Sequence, residues 1–128
     1  MKKKYLVIGI IVLLVSFFFN KYDLINFIHY KQKINSITYS NKDIKLLKDG
    51  IYEGEYNAIL IQAKVRILIK DKKIYSIDLV EYHHERGIAA KIIIKDIIKK
   101  QKIDVDNIAG ATNSSKVIKK AIDNALFK

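Results

Sequence analysis

The sequence predicts an α+β domain, a three-stranded antiparallel meander packed by two helices, preceded by an N-terminal transmembrane helix. Three observations support this prediction: an uncharged apolar run near the N-terminus, alternation of apolar and polar residues over 59–70, and helical periodicity after residue 87. The chain has 128 residues, of which 50% are hydrophobic. It is therefore long enough for one domain plus an extra segment, and too apolar for a disordered chain.

The composition excludes several classes of function. There is no Cys, which excludes a disulfide framework, a cysteine–zinc site and a thiol nucleophile. The net charge is +11, yet residues 1–48 alone carry +7 of it. Of the 24 basic residues 22 are Lys, whereas proteins that read nucleic acids favour Arg, so we expect no nucleic-acid partner. We also expect no metal site, because the adjacent pair His83 and His84 is by itself a weak metal signal.

The uncharged run covers residues 5–19 and follows Lys2, Lys3 and Lys4. Its length fits either a spanning helix or a signal-peptide core. It ends in three Phe residues without the small residues of a cleavage site, and apolar residues continue to Ile28, so we expect an uncleaved anchor over 1–28. The leading lysines predict a single-pass cell-membrane protein with a cytoplasmic N-terminus and an extracytoplasmic C-terminal domain. Burial as the core helix of a soluble protein is the alternative.

Residues 29–48 mix Lys, Asn, Ser and Ile and are expected to form a juxtamembrane spacer, helical in part. The globular domain is expected over 49–128, opening with the turn signal Asp49-Gly50. Strands are predicted over 51–57, 59–70 and 74–83, with a short reversal at 71–73. The period then changes, and amphipathic helices are predicted over 88–101 and 114–126.

The segment between these helices, 104–115, is rich in small and polar residues and ends where a helix begins. Unpaired N–H groups and the helix dipole favour an anion at such a point. Lysines follow, beginning with Lys116, in place of the usual acids, and a phosphate held near Thr112 would offset their charge. The alternative is an ordinary capped loop, with Asn113 or Ser114 as N-cap and Gly110 at positive φ.

Residues 106–112, Asp-Asn-Ile-Ala-Gly-Ala-Thr, resemble the D-x-x-[ST]-G-A-[TS] motif of the FMN-binding domain family. That domain occurs in subunits of sodium-pumping NADH:quinone reductases and Rnf electron-transport complexes, and in small membrane-anchored proteins. The likeness covers residues 49–128 and includes an Asp-Gly-x-Tyr-x-Gly opening at 49–54 and a His-x-x-x-Gly stretch at 83–87. In the family, a flavin transferase links FMN through its phosphate to the last Thr or Ser of the motif.

Carried over residue by residue, the resemblance implies a covalent phosphoester between FMN and Thr112. It implies transferase recognition by Asp106, Gly110 and Ala111. The other implied cofactor-binding residues are Asn113, Ser114, Ser115, His83 and Gly87. Two departures stand out: Ala109 replaces the commoner Ser or Thr, and Glu85-Arg86-Gly87 differs from the E-T-P-G of larger members.

The implied function is that of a bacterial membrane-tethered electron-transfer flavoprotein, not an enzyme in its own right. The implied partners are the flavin transferase, the membrane, and a membrane redox partner or quinone reductase as electron donor. The competing hypothesis is an unmodified structural or sensory module at the cell surface, without a flavin.

Overall fold

The computed structural model describes residues 1–40, 42–83 and 87–128, and for residues 87–90 it describes the backbone alone. The described residues form three α-helices, one short 3-10 helix and three strands. In chain order these are α1 (Lys2–Asn35), the 3-10 helix (Ile44–Leu46), β1 (Gly50–Asn57), β2 (Gln62–Lys70), β3 (Lys73–His83), α2 (Gly87–Lys100) and α3 (Thr112–Phe127). The predicted α+β class is confirmed.

The three strands form an antiparallel sheet in the order β1-β2-β3, as the meander prediction requires. The β2–β3 reversal places Asp71 and Lys72 at positive φ, 53° and 59°. The Asp49 carboxylate accepts hydrogen bonds from both of their backbone N–H groups, at 2.9 and 3.1 Å. These bonds lower the pKa of Asp49 and tie the start of β1 to the next hairpin.

Strand β2 begins at Gln62, three residues later than predicted. Residues 58–61 instead form the turn that joins β1 to β2, in which the Ala58 N–H donates to the Ile61 carbonyl at 2.8 Å. The Asn57 side chain accepts from the Ile59 N–H at 2.7 Å, and Ile59 has a φ of +74°. The alternation of Ile59 and Ile61 therefore imitates a strand although both residues belong to the turn.

The core lies between one face of the sheet and the two C-terminal helices. Alternate residues of β2 point inward and are at most 1% exposed: Ala63, Val65, Ile67 and Ile69. Helix α3 packs across β1 and β2, and α2 packs beside it against β3. The contact with β1 is close at Gly54, where an added Cβ would lie 2.3 Å from the Ala125 nitrogen. Glycine is therefore required at this position for α3 to approach the sheet.

Helix α1 divides into two parts. Residues 1–29 are all exposed, and the exposed side chains include every large apolar one up to Ile28. Among the described residues, α1 is the one helix long and apolar enough to cross a membrane, judged by length and composition. Its last two turns pack against the domain instead, with Tyr30 8% and Ile34 4% exposed.

The segment that follows α1 also contacts the domain. The Ser40 N–H donates to the Asp123 carboxylate at 2.8 Å, and the Lys120 ammonium donates to the Thr38 carbonyl at 2.8 Å. Ile44, in the 3-10 helix, is 6% exposed and belongs to the same hydrophobic core. Three described residues before Asp49, namely Tyr30, Ile34 and Ile44, are therefore buried in the same core as residues that follow it.

Candidate functional site

The motif loop (residues 104–111) ends in a tight turn. The Ala111 N–H donates to the Ile108 carbonyl at 2.9 Å, and Gly110, the third residue of the turn, has a φ of +76°. A type II turn needs positive φ at this position, which Gly adopts without strain. The turn leaves Ala109 and Gly110 exposed.

Helix α3 begins directly after this turn, with Thr112 as its first residue and Ala111 as N-cap. The prediction that Asn113 or Ser114 is the N-cap is wrong, because the Ser115 N–H already donates to the Ala111 carbonyl at 2.9 Å in the helical pattern. No side chain caps the helix and its first turn contains no acid. The first turn of α3 therefore holds no carboxylate of its own that would take the place of an anion or repel it.

Ser115 holds the motif loop to α3 from the inside. It is fully buried, and its hydroxyl accepts a hydrogen bond from the Ile108 N–H at 3.0 Å. Thr112, by contrast, is exposed at the tip of the helix. The two hydroxyls therefore have different surroundings. The Ser115 hydroxyl is buried and holds the loop, whereas Thr112 is exposed to solvent.

A cleft of about 360 Å³ lies at this tip. The described residues that line it are Tyr30, Ile61, Gly110, Ala111, Thr112, Asn113 and Ser114. One wall comes from α1, because the Asn113 side-chain amide donates to the Tyr30 hydroxyl at 2.9 Å. Beneath the cleft, Ser114 hydrogen-bonds Tyr82; burial raises the pKa of Tyr82 and the bond with Ser114 acts in the opposite direction.

A buried cation supports the motif loop. Lys119 is 3% exposed, its ammonium donates to the Val105 carbonyl at 2.9 Å, and it lies 5.0 Å from the centre of the Tyr39 ring. Burial lowers the pKa of Lys119, while the carboxylates of Asp104 and Asp106 raise it. The loop that carries the motif is therefore fixed to α3 through a lysine side chain in the core.

The other predicted site residues are Asp106, His83 and Gly87. Asp106 is exposed on the motif loop, and His83 is the exposed last residue of β3, opposite Gln62. Gly87 begins α2. Asp106 and His83 are not among the described residues that line the cleft. His84, Glu85 and Arg86, which the sequence analysis considered beside His83 and Gly87, lie outside the described residues.

Sequence reasoning did not assign Tyr30, Ile61 or Lys119 to the site. A signal existed for Lys119, because it continues the buried helical stripe of Ser115, Ile122 and Leu126 at intervals of three and four residues. No local pattern marks Tyr30, which reaches the cleft through a contact 83 residues away in sequence.

A family model described as "FMN-binding domain" matches residues 60–127, more than half of the chain. The chain belongs to the FMN-binding domain family. The match confirms the resemblance predicted from residues 106–112 and supports FMN as the cofactor. It spans β2, β3, α2, the motif loop and α3, and hence every cleft residue described above except Tyr30. A search among curated proteins gave no match.

The residues at the tip of α3 fit the phosphate of FMN. The helix end has no side-chain cap and no acid in its first turn, so its N–H groups and dipole favour an anion there. Thr112 presents an exposed hydroxyl at the same point, and the cleft beside it is open. The lysine that supports the loop, Lys119, adds positive charge in the same part of the domain.

Proposed function

We propose that this protein is a membrane-tethered electron carrier in which FMN is joined through a phosphoester to Thr112. The observation that supports this most is the accessible Thr112 hydroxyl at an uncapped helix N-terminus, in a chain that belongs to an FMN-binding family. The exposed Gly110 and Asp106 precede it on the motif loop, where a flavin transferase can reach them.

The attachment needs an external enzyme and an activated flavin nucleotide. The bond that forms joins the Thr112 oxygen to the phosphorus on the flavin side, and the bond that breaks is the phosphoanhydride of the flavin dinucleotide. The other half departs as a nucleoside monophosphate and takes up the hydroxyl proton. The chain's own contribution is limited to a reachable hydroxyl, the N–H groups at the start of α3 and a loop that the transferase recognises. We assign recognition to Asp106, Gly110 and Ala111.

When attached, FMN supplies one- and two-electron redox chemistry, and the protein supplies its position. The cleft beside Thr112 adjoins α1 at Tyr30, two residues beyond Ile28, the last large apolar residue of α1 that is exposed. At a rise of 1.5 Å per residue this separation is about 3 Å along the helix axis. This closeness supports a membrane redox partner as electron donor, either a quinone or a quinone reductase.

The proposed orientation puts the N-terminus in the cytoplasm and residues 49–128 outside the cell membrane. It is supported by the three lysines, Lys2, Lys3 and Lys4, that precede the apolar part of α1. Protease added to protoplasts is expected to degrade the domain while a control cytoplasmic protein stays intact. A domain that survives until the cells are lysed would contradict the orientation.

The attachment is tested by in-gel flavin fluorescence of the full chain produced together with a flavin transferase. Wild-type protein is expected to give a fluorescent band that survives denaturing electrophoresis. Thr112→Val keeps the shape of the side chain and lacks the hydroxyl, so its band is expected to be dark, whereas Thr112→Ser is expected to retain label. Fluorescence of the Val variant would place the link elsewhere. A dark wild-type band would favour the unmodified structural or sensory module.

A further inference from the structure

The cleft at the tip of α3 is completed by a residue from outside the region that defines the family. Tyr30 lies on α1, thirty residues before the family match begins at residue 60. Its ring is almost fully buried, although the residues of α1 before it are exposed. Two further bonds fix this end of α1: the Tyr56 hydroxyl donates to the Lys33 carbonyl at 3.2 Å, and the Lys33 ammonium donates to the Asn57 carbonyl at 3.0 Å.

The hydroxyl of Tyr30 is oriented by the site itself. It accepts a hydrogen bond of 2.9 Å from the side-chain amide of Asn113, the residue after the attachment threonine. A phenol that accepts one bond keeps its own proton for a second acceptor. Because Tyr30 and Thr112 line the same cleft, an acceptor held in that cleft lies beside the Tyr30 side chain.

We propose that Tyr30 is a cofactor-binding residue, which donates its hydroxyl proton to a phosphate oxygen of the FMN attached at Thr112. The inference rests on the proposed attachment. A charged phosphate is a stronger acceptor than a neutral group, and the first turn of α3 contains no carboxylate that would compete for the proton. The membrane anchor is then part of the cofactor site and not only a tether.

The test compares melting temperatures of the full chain in detergent, purified with flavin attached and without it. The quantity of interest is the increase in melting temperature on flavinylation. Tyr30→Phe removes the hydroxyl and keeps the buried ring; Tyr22→Phe makes the same change on the exposed part of α1, where Tyr22 is 67% exposed. We expect Tyr22→Phe to keep the wild-type increase and Tyr30→Phe to lose roughly 4–8 °C of it, the shift that one hydrogen bond produces in a domain of this size.

A purely structural role for Tyr30 predicts a different result. Tyr30→Phe would then lower the melting temperatures of both forms equally and leave the increase unchanged, which would overturn the proposal. Should Tyr30→Phe fail to fold, 3-fluorotyrosine placed at position 30 decides instead, since it keeps the buried ring and makes the hydroxyl a stronger donor. A larger increase than in the wild type then supports the proposal, and an unchanged one contradicts it. Wild-type protein that carries no covalent flavin would instead refute the proposed function, and this inference with it.

Discussion

The two ends of helix α3 have opposite surroundings. At its N-terminus, Thr112 and Asn113 are exposed, no side chain caps the helix, and the preceding turn is open to solvent. At its C-terminal half, Ala121 and Ile122 are fully buried and the backbone of Ala125 touches the sheet at Gly54. One end of α3 is therefore accessible from solvent, and the other is packed against the sheet. Substitutions at the packed end should therefore change stability, and those at the exposed end should change flavin attachment.

The largest expected effect on stability comes from adding a methyl group at Gly54, where α3 lies closest to the sheet. In Gly54→Ala the new Cβ would lie 2.3 Å from the Ala125 nitrogen and 2.6 Å from the Ala121 carbonyl oxygen, so α3 must move away from the sheet. We expect a loss of roughly 3 kcal/mol or more in the free energy of unfolding, measured by denaturant titration of the full chain in detergent.

Gly9→Ala is the matched control, because a Cβ at Gly9 meets no atom within 4 Å and the residue lies on the exposed part of α1. We expect this control to unfold like the wild type or slightly later. Equal stability of the two variants would mean that α3 does not approach the sheet as closely as the structure has it.

Much of the packed end could be predicted from the sequence, because local periodicity reports which side of an element is buried. The alternation along β2 and the apolar stripe of α3 indicated the right elements and the right faces. The start of β2 was misplaced because Ile59 and Ile61 alternate like strand residues, while their turn depends on a side-chain bond from Asn57.

The exposed end was predicted only in part. The motif indicated where the cleft lies, yet the start of α3 was misplaced by two residues, since Ala111 gives no side-chain signal of a helix cap. Tyr30 and Ile61 reach the cleft through long-range contacts that no local pattern encodes. The assignments of Asp106, His83 and Gly87 to the cofactor site stay predictions.

A smaller effect on stability is expected at Lys119, which lies in α3 between its exposed N-terminus and its packed C-terminal half. Burial lowers the pKa of this lysine in the folded protein below its ordinary value of 10.5. As the pH falls through the folded pKa, the folded state must charge a buried amine, so the stability contributed by the neutral form is lost. Wild-type protein should therefore gain stability relative to Lys119→Met as the pH rises toward 10.5.

Melting temperatures of both proteins between pH 8 and 10 test this. The upper limit of pH 10 avoids the titration of Tyr39, whose pKa is raised by burial from 10.0 to about 12. Above pH 10 the contribution of Tyr39 to stability falls as the pH rises, which is opposite to the change expected for Lys119. A difference between the two proteins that stays constant over this range would show that Lys119 keeps its ordinary pKa in the folded state.

The smallest effect on stability is expected at the exposed end, for Asp106→Ala. The Asp106 side chain is exposed on the motif loop, so its removal should change the free energy of unfolding by no more than about 0.5 kcal/mol. If the flavin transferase recognises this carboxylate, in-gel fluorescence should nevertheless fall several-fold. The variant would then separate attachment from stability, in contrast to Gly54→Ala.

Asp104→Ala provides the control for that interpretation. Asp104 is exposed on the same loop and also raises the pKa of Lys119, but it lies outside the motif at 106–112. The two variants therefore remove the same charge from the surroundings of the buried lysine. Loss of label in Asp106→Ala alone would indicate recognition of that carboxylate by the transferase. An equal loss in both variants would mean that the loop's electrostatic balance around Lys119, and not a specific contact, governs attachment at Thr112.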